Sequence, residues 1–459
     1  MRTIDTKTIA GATLLAGLAI PFIGCNAVAA AIATPDDIRQ SLANYVGAHS
    51  YGAVVIGVID NGKTSVYTLV GTNAKPVHER STFQIGSVTK TFTATALASM
   101  VNAGEVSLND PISKYLPPGV KAPSFNGKQI TLLNLAEQNS GLPRLPDNLP
   151  EANPMNPYAD YSPALLANFL SNYKLTRAPG AQYEYSNLGV GLLGDLLAAR
   201  AHTTYAELVE HRVLRPLGMT HTVVIGSPAT RSLLVPGYAP DGTPEPAWDL
   251  GELAAAGSIE SSLHDMLLYL HANMSPPKTA LGKAMALAQE PRYPIGPNGI
   301  LKIGLVWNTN SNSGITWHNG ETGGYHSFIG WDPQGHGVVL LANVADADLD
   351  TLAVHILAPL LVPAPVARVL EPSPYAGVYP LTPAFSITVF KSGGKLFVQG
   401  TAQPAIEIAL VSDQTYAVQG VDARVTFDVD AKGNVTGSTL RQNGVDQHAT
   451  KTATKPPGG

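Results

Sequence analysis

A serine three residues ahead of a lysine can become a nucleophile. The segment "IGSVTKTFTATALASM" (residues 85–100) carries such a pair in Ser87 and Lys90. A serine hydroxyl attacks a carbonyl only when a base removes its proton. Lysine can be that base when burial or a neighbouring cation lowers its pKa. Positions i and i+3 share one face of a helix, so the spacing brings hydroxyl and amine together. A serine that opens a helix also points its own N–H outward, where it can hold an oxyanion.

The same spacing recurs at Ser171 and Lys174, Ser275 and Lys278, and Ser392 and Lys395. Context separates them. Ser87 follows Gly86, which permits a tight entry, and the helix after it is apolar, so Lys90 is expected to be buried from the first turn. Ser171 falls at the end of an expected helix, with Lys174 as a solvated C-terminal lysine. Ser275 reads as a helix cap before a solvated lysine, and Ser392 as part of a hairpin turn.

Two more segments hold groups suited to such a centre. "APGAQYEYSNLGVGLLG" contains Tyr185-Ser186-Asn187, the one Tyr-x-Asn of the chain. A phenol beside a cationic lysine can relay protons, and an Asn side chain can orient a substrate amide. Tyr183 is a rival but lacks Asn two places on. "WHNGETGGYHSFIGWDP" contains His318-Asn319-Gly320 ahead of a Gly-rich strand start, where glycine admits a substrate backbone. Lys391-Ser392-Gly393 is a rival to His318, but it lies in the strand-rich tail; Lys302 reads as strand. His318 and His326 lack the companions of a metal site, with no HExxH or cysteine cluster, so no metal and no other cofactor is expected. There is no G-x-S-x-G elbow, and no Lys-Ser/Thr follows the glycines as a phosphate loop requires.

The elements around these residues give an α+β pattern. "YGAVVIGVIDNGKTSVYTLVGTNA" reads as a hairpin turning at Asn61-Gly62. A buried helix follows Ser87, with Gly104 at its C-terminal stop. Helical pieces come next in "PALLANFLSNY", "NLGVGLLGDLLAAR" and "ESSLHDMLLYLHANM". Strand signals return in "ILKIGLVWNT", "SFIGWDP" and "GVVLLANV". Early strands, a helical middle and late strands predict one antiparallel sheet shared by both ends, flanked by helices, with an all-α region. "LAPLLVPAPVARVLEPSP" reads as a proline-rich linker, and the short strands beyond it as a small all-β barrel or sandwich. The expected organisation is a signal peptide (1–30), a catalytic domain (31–360), a linker (361–374), a barrel-like domain (375–452) and a flexible tail (453–459).

Composition narrows the class of function. The chain has 459 residues, 44% of them hydrophobic, which is ample for sizeable cores. Its net charge is -5 with no basic run, which argues against a nucleic-acid partner. A basic start, an apolar run and small residues around Ala27-Val28-Ala29 read as a secretory signal, hence secreted or periplasmic. A membrane anchor is the other reading of that run. Cys25 is the single cysteine; lipidation there is the alternative to cleavage after Ala29.

Ser87-Val88-Thr89-Lys90, Tyr185-Ser186-Asn187 and His318-Asn319-Gly320 resemble, in order and rough spacing, the three motifs of the penicillin-recognising serine hydrolases. That group comprises class C β-lactamases and related D-Ala-D-Ala carboxypeptidases and esterases. "DPISKYLP", "NSGLP", "RPLGMTHT" and "GSIESSLHDM" are similar to its framework, and the likeness covers about residues 35 to 360. The C-terminal strands resemble a β-barrel appendage of many members. The resemblance implies a β-lactamase/transpeptidase-like fold and an acyl-enzyme formed on Ser87. Lys90 and Tyr185 would share the acid and base work, and Asn187 would bind the substrate amide. The N–H groups of Ser87 and Glu321 would form the oxyanion hole, with His318 and Gly320 lining the substrate. It implies a D-amino-acid peptide, a small ester or a β-lactam as substrate, and a possible cell-wall association. A non-catalytic penicillin-binding protein is the reading from another class. Two departures stand out. His318 replaces the lysine of typical class C β-lactamases and is charged only in part near neutral pH. Gln138 and Asn139 replace the usual His and Thr of "THTSGLP", which bears on local packing.

Overall fold

The computed structural model describes residues 32–46, 51–150, 155–224, 233–239, 242–295, 299–346, 348–360, 370–371, 373–382, 385–392, 394–400, 405–418, 423–430, 432–442 and 445–452. The signal peptide, Cys25, Gly393, the tail and most of the proline-rich linker lie outside those residues. The described residues form two compact units that divide between Pro365 and Val366. Among them no helix is long and apolar enough to cross a membrane.

In the first unit, β1 (Ala53–Asp60) is buried along all but its last residue, so both of its faces must be covered. Asn61 and Gly62, at φ 48° and 84°, turn the chain into β2 (Lys63–Val70), the more exposed edge strand. α1 (Pro35–Val46) packs beside β2. Then β3 (Thr82–Gln84) runs into a single 3-10 turn, Gly86–Val88, and directly into α2 (Thr89–Asn102). α3 (Pro163–Asn172) and α4 (Asn187–Ala201) belong to the helical region, each opened by a serine whose hydroxyl accepts a backbone N–H. β4 (Ile259–Ser262) pairs with β3, and α5 (Leu263–Met274) and α6 (Ala280–Gln289) follow.

The late strands are β5 (Tyr293–Ile295), β6 (Leu301–Ile303), β7 (Asn308–Asn310), β8 (Thr316–Thr322), β9 (Tyr325–Trp331) and β10 (His336–Ala342). The sheet has the order β5-β6-β7-β8-β9-β10-β1-β2 and is antiparallel throughout. β1 pairs with β10 from Val54↔Ala342 to Asp60↔His336, so the two ends of the domain do share one sheet. Glycine lets helices approach it. A Cβ on Gly57 would lie 2.6 Å from Leu267, and one on Gly337 2.5 Å from Met274, both side chains of α5. α7 (Asp348–Leu357) packs on β9 and β10.

Three local expectations are corrected. Helix α5 begins at Leu263, because Glu260–Ser262 is taken up by pairing with β3. "ILKIGLVWNT" holds two strands, β6 and β7, with Val306 at φ 61° in the turn between them. The helix after Ser275 is capped by Thr279 instead, whose hydroxyl accepts the Gly282 N–H.

The second unit is a nearly closed antiparallel barrel. Its strands are β11 (Gly377–Thr382), β12 (Phe385–Ser392), β13 (Lys395–Gly400), β14 (Ala405–Ser412), β15 (Thr415–Val418), β16 (Ala423–Val429), β17 (Val435–Gln442) and β18 (Val445–Thr450). Each pairs with the next, and a bridge between Val378 and Thr452 brings the ends together. Tyr379, Ile387, Val389, Val425 and Phe427 fill the interior. The last strand, β18, was not distinguished by its sequence pattern. Ser392 and Lys395 flank the β12–β13 turn as opposed residues, as the hairpin reading requires.

Candidate active site

Ser87 sits in the middle of the 3-10 turn that leads into α2, half-buried, while Lys90 one helical turn on is fully buried. Lys90 Nζ lies 2.8 Å from Ser87 Oγ and donates to the Ala256 carbonyl at 2.7 Å. The turn depends on Gly86, whose φ of 47° suits glycine. Burial holds the Lys90 amine well below the usual lysine range, and the Arg144 guanidinium pushes it further the same way. A neutral amine in contact with a serine hydroxyl can accept its proton.

Strand β8 passes directly over this turn. A Cβ on Gly320 would stand 2.1 Å from the Ile85 carbonyl oxygen and 2.7 Å from the Ser87 nitrogen. A Cβ on Gly86 would stand 2.6 Å from the Glu321 nitrogen. Backbone meets backbone here, so neither position has room for a side chain. The contact also brings the Ser87 and Glu321 amide groups into one small volume. Ser327 on β9 donates to the Ile85 carbonyl at 2.7 Å, fixing the turn from the sheet side.

Tyr185 approaches from the helical region. Its ring lies under Lys90 Nζ, 4.8 Å from ring centroid to nitrogen, and its hydroxyl interacts with Ser87. Burial raises the phenol to about 12, against the opposing pull of Arg144 and Ser87, so it is a neutral donor at ordinary pH. Two of the unusual "EQNSGLP" residues hold this loop. Gln138, at φ 56°, accepts the Ser186 N–H on its side-chain oxygen at 2.7 Å and the Glu184 N–H on its carbonyl at 2.7 Å. It thereby grips both neighbours of Tyr185. The Asn139 carbonyl accepts the Gly180 N–H at 2.7 Å. The doubt over local packing resolves into a clamp.

Ser186 caps α4, accepting the Gly189 N–H at 2.8 Å and donating to the Pro143 carbonyl at 2.6 Å. Asn187 opens the helix, with its N–H donated to the Arg144 carbonyl at 3.0 Å and its side-chain oxygen buried without a partner. Tyr158 stands beside Asn187, and its ring meets Trp248 edge-on at 5.4 Å. Trp248 in turn covers Gly323, where a Cβ would lie 2.5 Å from the indole nitrogen.

His318 differs from expectation. It is buried, and its Nδ1 lies 2.6 Å from the Asn319 carbonyl, which can only accept, so Nδ1 carries the proton. Burial and the nearby Lys90 press its pKa down to about 3. The partial charge anticipated near neutral pH is therefore absent. His318 presents a neutral ring with a free acceptor at Nε2. His326 has a different environment. It bridges Glu321 at 3.1 Å and Asp350 of α7 at 2.9 Å, while Asn319 donates to the other Asp350 oxygen at 2.6 Å. The two carboxylates outweigh burial and raise His326 to about 10, so it is a cation. His318 and His326 thus hold different charge states on either side of Asn319.

The rival serine–lysine pairs have other local partners. Ser171 accepts the Lys121 N–H at 3.2 Å, and Lys395 pairs with Glu407. Sequence reasoning missed Arg144, Tyr158 and Trp248, and saw Gln138 only as a departure that bears on packing. The only sequence signal among them was the Gln that departs from the usual "THTSGLP".

An eight-stranded antiparallel sheet against a helical region, with a Ser–Lys–Tyr centre between them, defines the β-lactamase/transpeptidase class of serine hydrolase scaffold. Comparison with known proteins agrees. The Beta-lactamase family model matches residues 38–358, and the chain belongs to that family. A second model, a domain of unknown function (DUF3471), matches residues 363–453. The D-alanyl-D-alanine-carboxypeptidase/endopeptidase AmpH of Escherichia coli (strain K12) is 36% identical over 205 residues, 43% of this chain and 52% of AmpH. The match thus spans about half of that relative's length. A Beta-lactamase of Pseudomonas fluorescens is 29% identical over 324 residues, 63% of this chain and 87% of that protein. Among solved structures, the D-alanine carboxypeptidase AmpC from Burkholderia cenocepacia is similar, with a TM-score of 0.59 and 26% identity. It covers 71% of this chain and 99% of its own.

Proposed function

We propose that the protein is a serine hydrolase acting through an acyl-enzyme on D-Ala-D-Ala-type peptides or small esters. The single observation that carries the reading is the buried Lys90 amine 2.8 Å from Ser87 Oγ. Ser87 Oγ bonds to the substrate carbonyl carbon as its proton passes to Lys90. The developing oxyanion is held by the N–H groups of Ser87 and Glu321. The carbon–nitrogen or carbon–oxygen bond then breaks, and the neutral Tyr185 phenol hands a proton to the leaving group and recovers one from Lys90. Water cleaves the serine ester by the reverse route, releasing the acid and restoring Ser87. Asn187 receives the amide of the acyl portion, and His318 Nε2 accepts a hydrogen bond from substrate beside Gly320.

β-Lactam hydrolysis is the second reading. The same nucleophile would open the lactam ring, and the kinship with the Pseudomonas fluorescens Beta-lactamase favours it. The neutral His318 favours a small ester over either carboxylate-bearing substrate, since no fixed cation stands on β8 to hold a leaving-side carboxylate. A non-catalytic binding role fits poorly with a lysine amine held low against a serine. Cell-wall association and export to the periplasm belong to the same proposal and rest on the N-terminal sequence pattern. N-terminal sequencing of the mature protein from the bacterial periplasm tests the export.

A penicillin probe with intact-mass measurement tests the mechanism. A lasting adduct on Ser87 is expected for a peptidase, and rapid turnover for a lactamase. Hydrolysis of a 4-nitrophenyl ester that persists in full after Ser87→Ala overturns the reading.

A further inference from the structure

The positive charge in this site is unevenly placed. On the β8 flank His318 is neutral, and its surroundings comprise Lys90 and the Asn319 carbonyl. On the Asn187 flank stands the guanidinium of Arg144. Its carbonyl accepts the N–H groups of Asn187 at 3.0 Å and of Leu188 at 3.2 Å, which ties it to the start of α4. Its guanidinium lies over the Tyr185 ring, 5.0 Å from the centroid, and its charge is felt by Lys90, Tyr158, Tyr183 and Tyr185. The side chain is exposed at the mouth of the site. Among the described residues no carboxylate lies within ion-pair distance of it. Its one recorded side-chain contact is the aromatic face, which leaves the five N–H donors available.

The groups beside it also await partners. The Asn187 side-chain oxygen and the Trp248 indole N–H are buried and unsatisfied. In the acyl-enzyme reading, on which this inference rests, Asn187 grips the amide of the acyl portion. An anionic group borne by that portion therefore falls within reach of Arg144, and one borne by the leaving group meets only a neutral imidazole.

We infer that Arg144 forms an anion-binding subsite on the acyl side, so that this enzyme favours acyl donors carrying a carboxylate on the acyl group. The guanidinium fork offers a bidentate pair to such a carboxylate. Stacked on Tyr185, it is already oriented, and less freedom is lost on binding.

Matched esters test this directly. 4-Nitrophenyl hexanoate and mono-4-nitrophenyl adipate share a leaving group and chain length and differ in one terminal carboxylate. The wild-type enzyme is expected to favour the adipate in kcat/KM by about fivefold or more at low salt. Arg144→Gln should bring the ratio near one, Arg144→Glu below one, and Arg144→Lys between Gln and wild type. Because both esters use one nucleophile and one base, a change in the Lys90 pKa cancels in the ratio. A wild-type ratio near one, or a ratio unmoved across the Arg144 variants, overturns the inference. The acyl-enzyme reading fails separately, by ester hydrolysis that survives Ser87→Ala. If hydrolysis depends on Ser87 but shows no charge preference, the subsite alone falls.

Discussion

The two units bury different things. Among the described residues of the barrel, Ser438 is the one polar side chain in the fully buried class, and Tyr379, Val425 and Phe427 make an ordinary apolar interior. The first unit buries Lys90, His318, His326, Asp265 and Asp350 together with all four threonines of α2. Burial of an ionisable group works against stability unless partners compensate. In the barrel the described interior is apolar apart from Ser438. In the first unit, part of the interior is held in costly states that the proposed chemistry can use.

The largest test of that contrast is at Lys90. Lys90→Met should lower ester kcat/KM by about a thousandfold or more, as the loss of a catalytic base does. It should raise the melting temperature, because an unbranched apolar chain replaces a desolvated amine. Steady-state kinetics and thermal melting on the same sample check both signs. A melting temperature that falls breaks the idea that this group is held at a cost.

Next comes Gly320→Ala. Its Cβ would collide with the Ile85 oxygen and the Ser87 nitrogen, both backbone atoms. We expect a loss of about a hundredfold in activity, comparable with losing an oxyanion donor, and an acyl adduct that forms slowly in mass spectrometry.

His326→Gln probes the compensated side of the interior. Glu321 and Asp350 would lose the cation between them, at a cost of about 3 kcal/mol in unfolding free energy. The sign with pH follows from the raised pKa. A histidine lifted from 6.5 to about 10 contributes fully below its ordinary pKa, and that contribution fades as pH rises toward 10. Urea unfolding should show a wild-type advantage over the Gln variant that shrinks between pH 7 and 10. In the barrel, Phe427→Leu removes apolar contact alone. It should cost about 1 kcal/mol at every pH in that range.

The smallest effect is a missing one. Since His318 remains neutral down to about 3, the pH–rate profile should show no limb at the ordinary histidine pKa. Activity should fall on the acid side only where the depressed Lys90 amine gains its proton. A limb near pH 6.5 that disappears in His318→Gln would contradict this account.

Legibility in the sequence follows the same division. The barrel strands were readable because alternation and turn residues act locally; β18 slipped past, and so did the short pairing of Leu370–Glu371 with β12, which falls in the expected linker. The shared sheet was readable from apolar strands at both ends of the domain. Ser87, Lys90, Tyr185 and Asn187 were readable because short spacings bind them to helix starts, and the structure brings the first three together. The state of His318 was not readable. It depends on burial and on a lysine more than two hundred positions away, a relation no local pattern encodes. Gln138 was noticed only as a departure, since its function requires the loop at Glu184 and Ser186 to fold against it. Arg144 carries no motif at all, and its meaning appears only once Tyr185 lies beneath it.

The interlock of Gly86 with β8 has a consequence for laboratory evolution of this enzyme. Where two main chains touch, the alphabet shrinks to one letter, so randomising codons 86 and 320 should return glycine whatever substrate is used for selection. New specificities must therefore arise elsewhere around the rim. The exposed side chain at position 144, which supports no part of the core, is where a library has room to explore.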